Sequence, residues 1–277
     1  MKKLLFLILI SHFTILFSQK NIKMYNERKG DSLTFYVDNN EIYPVSLVFN
    51  GQPEADNLRK PDLFKTTHVI PGKTSRYRVT YFVVNDKKKG WNLKKMPGYQ
   101  SYTGDITIKQ YDKNYQYDLP FGKGKAFLIH QGYNGTFSHQ NENSLDFIMP
   151  EGTEILAARE GLVIEIVQHN DKSCPTKSCA AFGNYISVLH SDGTIAQYFH
   201  LIKNGAKVKV GDKVIKSQPI ALSGNTGWSS GPHLHFVTYL PSSTGEKQRI
   251  TVKTLFKTES GDKVEYLEEK KSYARGY

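Results

Sequence analysis

His233-Leu234-His235 sets two imidazoles two residues apart, and Phe236-Val237 after it is apolar enough to continue as a strand. Side chains of an extended chain alternate between faces, so His233 and His235 are expected to point one way and Leu234 into the layer beneath. Two aligned imidazoles suit a metal ligand with an acid or base beside it. A His-x-His pair alone fits an exposed polar strand face equally well, so the reading depends on donors elsewhere in the chain.

A catalytic zinc uses roughly three protein ligands, drawn from His and carboxylate, and keeps one position open. The segment Phe137-Ser138-His139-Gln140-Asn141-Glu142-Asn143-Ser144-Leu145-Asp146-Phe147 supplies both ligand types. A further histidine, His200, ends the alternating stretch that begins at Thr194. These pieces recur with Asp146-Phe147-x-x-Pro150-x-Gly152-Thr153, Gly183-Asn184-Tyr185, Tyr198-x-His200-Leu201, Ser223-Gly224-Asn225-Thr226-Gly227 and Gly231-Pro232-His233-Leu234-His235-Phe236.

In that order they resemble the lysostaphin-type zinc metallopeptidases, mostly endopeptidases of bacterial cell-wall peptidoglycan, over about half the chain, from Phe127 to Phe236. The resemblance implies one Zn2+ held by His139, Asp146 and His235, with His200 and His233 beside the metal in a shared acid/base and transition-state-stabilising role. It also implies an antiparallel sheet with an open groove. Many members of the family have the first histidine four residues before the aspartate; here the gap from His139 to Asp146 is seven, and Glu142 stands at the nearer position. His139 is preferred because imidazole is the family's ligand type there. Bound zinc would acidify a water toward neutral pH and polarise the scissile carbonyl.

Glycines at 224, 227 and 231 bracket the approach to the His-x-His strand, where a turn or a close backbone approach favours glycine. Asn225-Thr226-Gly227-Trp228 is expected to form one wall of a peptide groove, with Asn225 as a substrate contact. Tyr198, two residues before His200, shares its face if the strand is regular; it then either contacts substrate or fills space beside the site. His68, His130, His169 and His190 take structural readings, with His130 at the border of the cleft.

Met1-Lys2-Lys3 followed by Leu4 to Ile10 and Phe13 to Phe17 has the basic start and short apolar run of a secretory signal. The run is short beside the roughly 20 residues of a membrane span. Membrane contact is expected only if this segment stays uncleaved as an anchor. The protein is read as exported, to the periplasm or the extracellular space. The formal charge of +11, or +9 without Lys2 and Lys3, suits an anionic envelope or a solvated lysine-rich surface. Nothing resembles a nucleic-acid-binding motif. Cys174 and Cys179, the two cysteines of the chain, pair naturally as a disulfide in an exported protein.

The fold expected is mainly β, with residues 1–18 a signal peptide, 19–115 a small sandwich-like domain and 116–277 the peptidase domain. Short β-branched and aromatic runs at 32–37, 43–49 and 76–84 mark the first domain. Runs near 127–130, 145–148, 161–168, 184–190, 194–200, 219–223 and 233–239 mark the second. Residues 250–256 could add an edge strand, and the charged end from Glu268 is expected to be loose. Two functions remain open: an active endopeptidase on peptidoglycan peptides, or a catalytically silent relative that binds the wall or activates another hydrolase. Neither the scissile bond nor the oligomeric state can be read from the sequence.

Overall fold

The computed structural model describes residues 20–59, 63–244 and 247–277; the expected signal segment lies outside the described residues. Strand is the dominant element, and the one helix among the described residues is a short 3-10 turn, Lys177–Phe182. No described helix is long and apolar enough to cross a membrane.

The first half builds two antiparallel sheets of three or four strands around their own core, beside a two-stranded pair of Glu54–Asp56 with Asn92–Lys95. One orders Ile22–Lys29, Ser32–Asn39, Thr74–Val84 and Leu58–Arg59; the other orders Thr67–Ile70, Val45–Phe49 and Tyr99–Thr103. Ser32–Asn39 alternates strictly between half-buried and buried positions, so Leu33, Phe35 and Val37 meet Leu47, Phe49, Ile70 and Phe82 between the sheets. That alternation is the period-two pattern that marks the strand in the sequence.

The second half is organised by a nine-stranded sheet. Its order is Lys213–Val214, Gly161–Val167, Tyr185–Leu189, Ile195–Phe199, His233–Pro241, Ser144–Ile148, Ala126–Gln131 and Ser272–Ala274, with Arg249–Val252 pairing the far end of His233–Pro241. One face buries Leu145, Phe147, Ile186, Val188, Tyr198, Leu234 and Phe236 in a single core. Each such large side chain contributes about 1.5–3 kcal/mol on leaving water. The opposite face carries the residues of intermediate register, including Asp146, His235 and Phe199, which stand directly opposite one another on neighbouring strands.

One expectation about the chain end is corrected and another is met in part. The tail from Glu268 is not loose. Ser272–Ala274 pairs with Ala126–Leu128, Arg275 is buried and donates to the Phe121 carbonyl, and the Tyr277 hydroxyl accepts from the Leu119 amide. Arg249–Val252 adds the strand expected within 250–256, whereas Leu255–Thr258 leaves the large sheet to lie parallel to Gln116–Tyr117. Aromatic packing of Phe256 against Tyr117, Phe147 and Phe236 holds it there.

The first half rests on the far end of the site-bearing face. Ile195, on the same face as Gln197 and Phe199, is fully buried, and a Cβ built on Gly104 would lie 3.7 Å from its Cδ1 and 2.6 Å from Pro241 Cγ. Gly104 itself has a φ of +81°, so this contact depends on glycine for both space and conformation.

Candidate metal centre and groove

Three of the predicted residues converge. His139 Nε2 lies 3.1 Å from His235 Nδ1 and 3.2 Å from Asp146 Oδ1, and His235 Nδ1 lies 2.8 Å from that same oxygen. Donors of a tetrahedral zinc, each about 2.0–2.1 Å from the ion, stand roughly 3.3 Å apart, so two nitrogens and one oxygen at these separations fit a metal of that kind. His139 Nδ1 meets the Gly132 carbonyl at 2.9 Å and so carries the proton, which leaves Nε2 with its lone pair toward the other donors. His139 reaches the cluster because the seven-residue gap is a loop excursion. Its turn closes with the Glu142 amide donating to the His139 carbonyl, and Asn141 takes a φ of +60°.

Glu142, at the nearer spacing, points elsewhere. Its carboxylate pairs with Arg249 and Lys247.

Asp146 is buried, which alone would raise its pKa, yet hydrogen bonds and charge from His139 and His235 hold the carboxyl well below its usual range. Burial lowers the pKa of His235 and so favours its neutral, lone-pair form. At His139 burial acts in the same lowering sense, but the Asp146 carboxylate outweighs it and the pKa is raised.

His200 and His233 stand beside this cluster with ring centroids 4.4 Å apart. Each is tethered by the nitrogen that faces away from the donors: His200 Nδ1 to the Thr226 carbonyl at 2.6 Å, His233 Nδ1 to the Gly231 carbonyl at 2.8 Å. The Ser229 hydroxyl supports His233 at 3.2 Å. Both rings thus carry Nδ1–H and present Nε2 as an acceptor; His233 Nε2 is 3.8 Å from Asp146 Oδ1. Burial, and then the neighbouring His233 and His235, lower the His200 pKa to about 3, so this imidazole is neutral at ordinary pH.

A cavity of about 760 Å³ opens over the donors, lined by Asp146, His200, His233 and His235 together with Phe137, Phe199, Trp228 and Pro175. Every lining residue lies between His130 and Lys270, so the first half of the chain contributes nothing to it. His130 borders the cleft as expected, whereas His68 and His190 are buried structural histidines. Cys174 and Cys179 stand at disulfide distance, 2.04 Å between sulfurs, in a loop whose Pro175 and Ala180 form part of the rim.

Two expected substrate contacts are corrected. Tyr198 is fully buried, its hydroxyl oxygen accepts from the Ala158 amide at 2.9 Å, and it packs on Phe236, so it belongs to the core. It does not share the face of His200 because His200 lies beyond the regular strand with a φ of +64°, which breaks the alternation. Asn225 does not line the cavity; its Oδ1 accepts from the Ser229 hydroxyl at 2.6 Å and thereby braces the turn that holds His233.

One organising residue escaped the sequence reading. A bulge after Ile129 brings Gln131 opposite Asp146. Its Nε2 donates to Asp146 Oδ2 at 3.0 Å, and its Oε1 accepts from the Ser138 amide at 2.8 Å. Gln131 therefore ties the metal-facing carboxylate to the loop that carries His139. Only its place just after an apolar run could have signalled this.

Residues 140–248 match the family described as Peptidase family M23. An uncharacterized metalloprotease of Buchnera aphidicola is 39% identical over 38% of this chain and 25% of its own length. The peptidoglycan DD-endopeptidase ShyA of Vibrio cholerae is 38% identical over 34% of this chain and 19% of its own. Lysostaphin of Staphylococcus staphylolyticus is 35% identical over 47% of this chain and 22% of its own. The chain thus spans a quarter or less of the length of these curated relatives. The His/Asp/His donor set suits the metal cofactor that Peptidase family M23 implies, and it falls on the matched span of residues 140–248 except for His139, which stands one residue before it.

Proposed function

We propose that the chain is an exported zinc endopeptidase that hydrolyses peptide bonds of bacterial peptidoglycan. The observation that carries this reading is the placement of two carbonyl-tethered imidazoles, His200 and His233, against the convergent donors His139, Asp146 and His235 on the floor of an open cavity. When bound there, zinc would supply Lewis-acid polarisation of the scissile carbonyl and a water acidic enough to attack near neutral pH. The named relatives that act on peptidoglycan support the substrate class.

The chain's own residues supply the proton path. His200 and His233 keep Nδ1–H fixed to carbonyls, so either Nε2 can take a proton from the attacking water and return it to the amine nitrogen as the peptide C–N bond breaks. A protonated Nε2 can also donate to the developing oxyanion. Phe199, opposite His235, and the Phe137–Trp228 pair, with ring centroids 6.2 Å apart, give the groove apolar walls against which a peptide can lie.

The same reading takes residues 1–18 as a signal peptide, 19–115 as a separate β domain, 116–277 as the peptidase domain, and Cys174–Cys179 as an oxidised pair. Residues 20–277 incubated with intact sacculi, with zinc and with a chelator, test it; mass spectrometry of released muropeptides names the bond. Folded, zinc-loaded protein that sediments with sacculi and releases nothing would replace it with a silent wall-binding protein.

A further inference from the structure

A second cluster shares the cavity with the metal donors. Glu142, Lys247 and Arg249 all line it. Glu142 is only 8% exposed, and its Oε2 accepts from Arg249 Nη2 at 2.7 Å while Oε1 faces Lys247 Nζ at 2.5 Å. Arg249 Nη1 donates to Gln197 Oε1 at 3.0 Å. Two cations therefore surround one anion, and the cluster keeps a formal surplus of one positive charge.

The donors are also incompletely used. Arg249 Nη1 and Nη2 each carry two N–H groups and spend one apiece on Gln197 and Glu142. Lys247 is more than half exposed, and its ammonium has three N–H groups against one carboxylate oxygen. A structural ion pair bracing the His139 loop would need one cation, which Arg249 already provides; Lys247 is surplus to that task.

Position gives the surplus a use. Gln197 is two residues along the strand from Phe199, and Phe199 stands opposite His235. The guanidinium that binds Gln197 thus lies about 7 Å along the sheet from the metal donors, the span of two residues of extended chain. Past it the face is closed, because Pro241, which pairs with Arg249, and Ile195 are covered by the first half of the chain at Gly104.

We propose that Lys247 and Arg249 form a carboxylate-binding subsite that takes an acidic group of the substrate peptide about two residues from the cleaved bond. This rests on the peptidase reading of the adjoining metal centre. The carboxylate would accept charge-assisted hydrogen bonds from Lys247 Nζ and from the Nη N–H groups of Arg249 that Gln197 and Glu142 leave free, with Glu142 keeping its bond to Arg249. Both a side-chain acid and a free C-terminal carboxylate carry this chemistry.

The test is calorimetric binding of synthetic peptides to the zinc-loaded chain, in two arms: an acidic side chain against its amide, and a free C-terminal carboxylate against its amide. In one arm or both, the acid should bind about tenfold more tightly. Lys247→Met should reduce that ratio to less than twofold and Lys247→Arg should preserve it, with thermal unfolding confirming that both variants fold. Equal affinity for acid and amide in both arms, a preference that survives Lys247→Met, or no measurable binding of any peptide would overturn the subsite. Hydrolysis is followed on the same samples: an acid preference without cleavage would count against the peptidase reading and leave the subsite standing.

Discussion

Phe199 and His200 are consecutive, yet both face the groove, because His200 takes a left-handed backbone with a φ of +64° just past the end of its strand. Phe199 keeps the strand register opposite His235, and the break lets the next side chain swing to the same side, where Nδ1 finds the Thr226 carbonyl. A non-glycine residue held in this region stores strain of about 1–3 kcal/mol, which the surrounding contacts must offset.

His200 acts on the proton and not on the metal in this account. His200→Ala is expected to retain zinc while kcat falls by roughly 10²–10⁴-fold, the usual scale of a lost acid/base group. Metal analysis beside kinetics separates the roles, and loss of zinc in step with activity would make His200 a ligand.

Gln131 links Asp146 to the His139 loop, so its influence should appear in metal affinity. Gln131→Ala is expected to weaken zinc binding by about 10–100-fold, the range for residues that orient metal ligands. Competition with a chromogenic chelator reads this directly, and an unchanged affinity would show that the bulge at Ile129 holds the loop without the glutamine.

How much was legible follows from how local each signal is. Strict alternation in Ser32–Asn39 and the paired imidazoles of His233 and His235 announce their strands because period two is a property of neighbouring residues. The excursion from His139 to Asp146 was readable only by ligand type, since no local rule fixes where a loop returns. Tyr198 and Asn225 were misplaced for the same reason in reverse: a regular strand was extended through His200, and of the segment Asn225 to Trp228 expected in the groove wall, Trp228 lines the cavity and Asn225 does not. Gln131 carried no signal beyond its place just after an apolar run, because a bulge re-aims a side chain through tertiary pairing. The ordered tail depends on Arg275 and Tyr277 reaching carbonyls and amides more than a hundred residues away.

Gly227 supports the site through its backbone. It has a φ of +85°, and a Cβ there would stand 2.6 Å from Gly183 Cα. Gly227→Ala is expected to cost about 2–4 kcal/mol, combining the left-handed penalty with overpacking, and to disturb the adjacent Thr226 carbonyl that holds His200. Chemical unfolding and activity measured together should both fall; a stable variant with full activity would show that the loop relaxes freely.

His190 gives a pH signature away from the metal. It is fully enclosed, with Nδ1 bonded to the Glu160 carbonyl and Nε2 unpartnered, and burial followed by the Arg159 cation lowers its pKa to about 4. An unfolded histidine gains its proton near pH 6.5 and the folded one does not, so the unfolded state binds more protons in that window. Stability should therefore be full above about pH 6.5 and fall as pH drops toward 4, by on the order of 3 kcal/mol. His190→Gln should flatten that part of the profile relative to the wild type; an equally steep decline would place the acid sensitivity elsewhere.

The central claim is that His139, Asp146 and His235 hold one zinc that runs hydrolysis of peptidoglycan peptides. Its most direct test is muropeptide release from sacculi by metal-stripped protein titrated with zinc. Release should rise to a plateau at one zinc per chain and vanish in Asp146→Ala. Release that persists in the stripped protein, or in Asp146→Ala, would contradict the account.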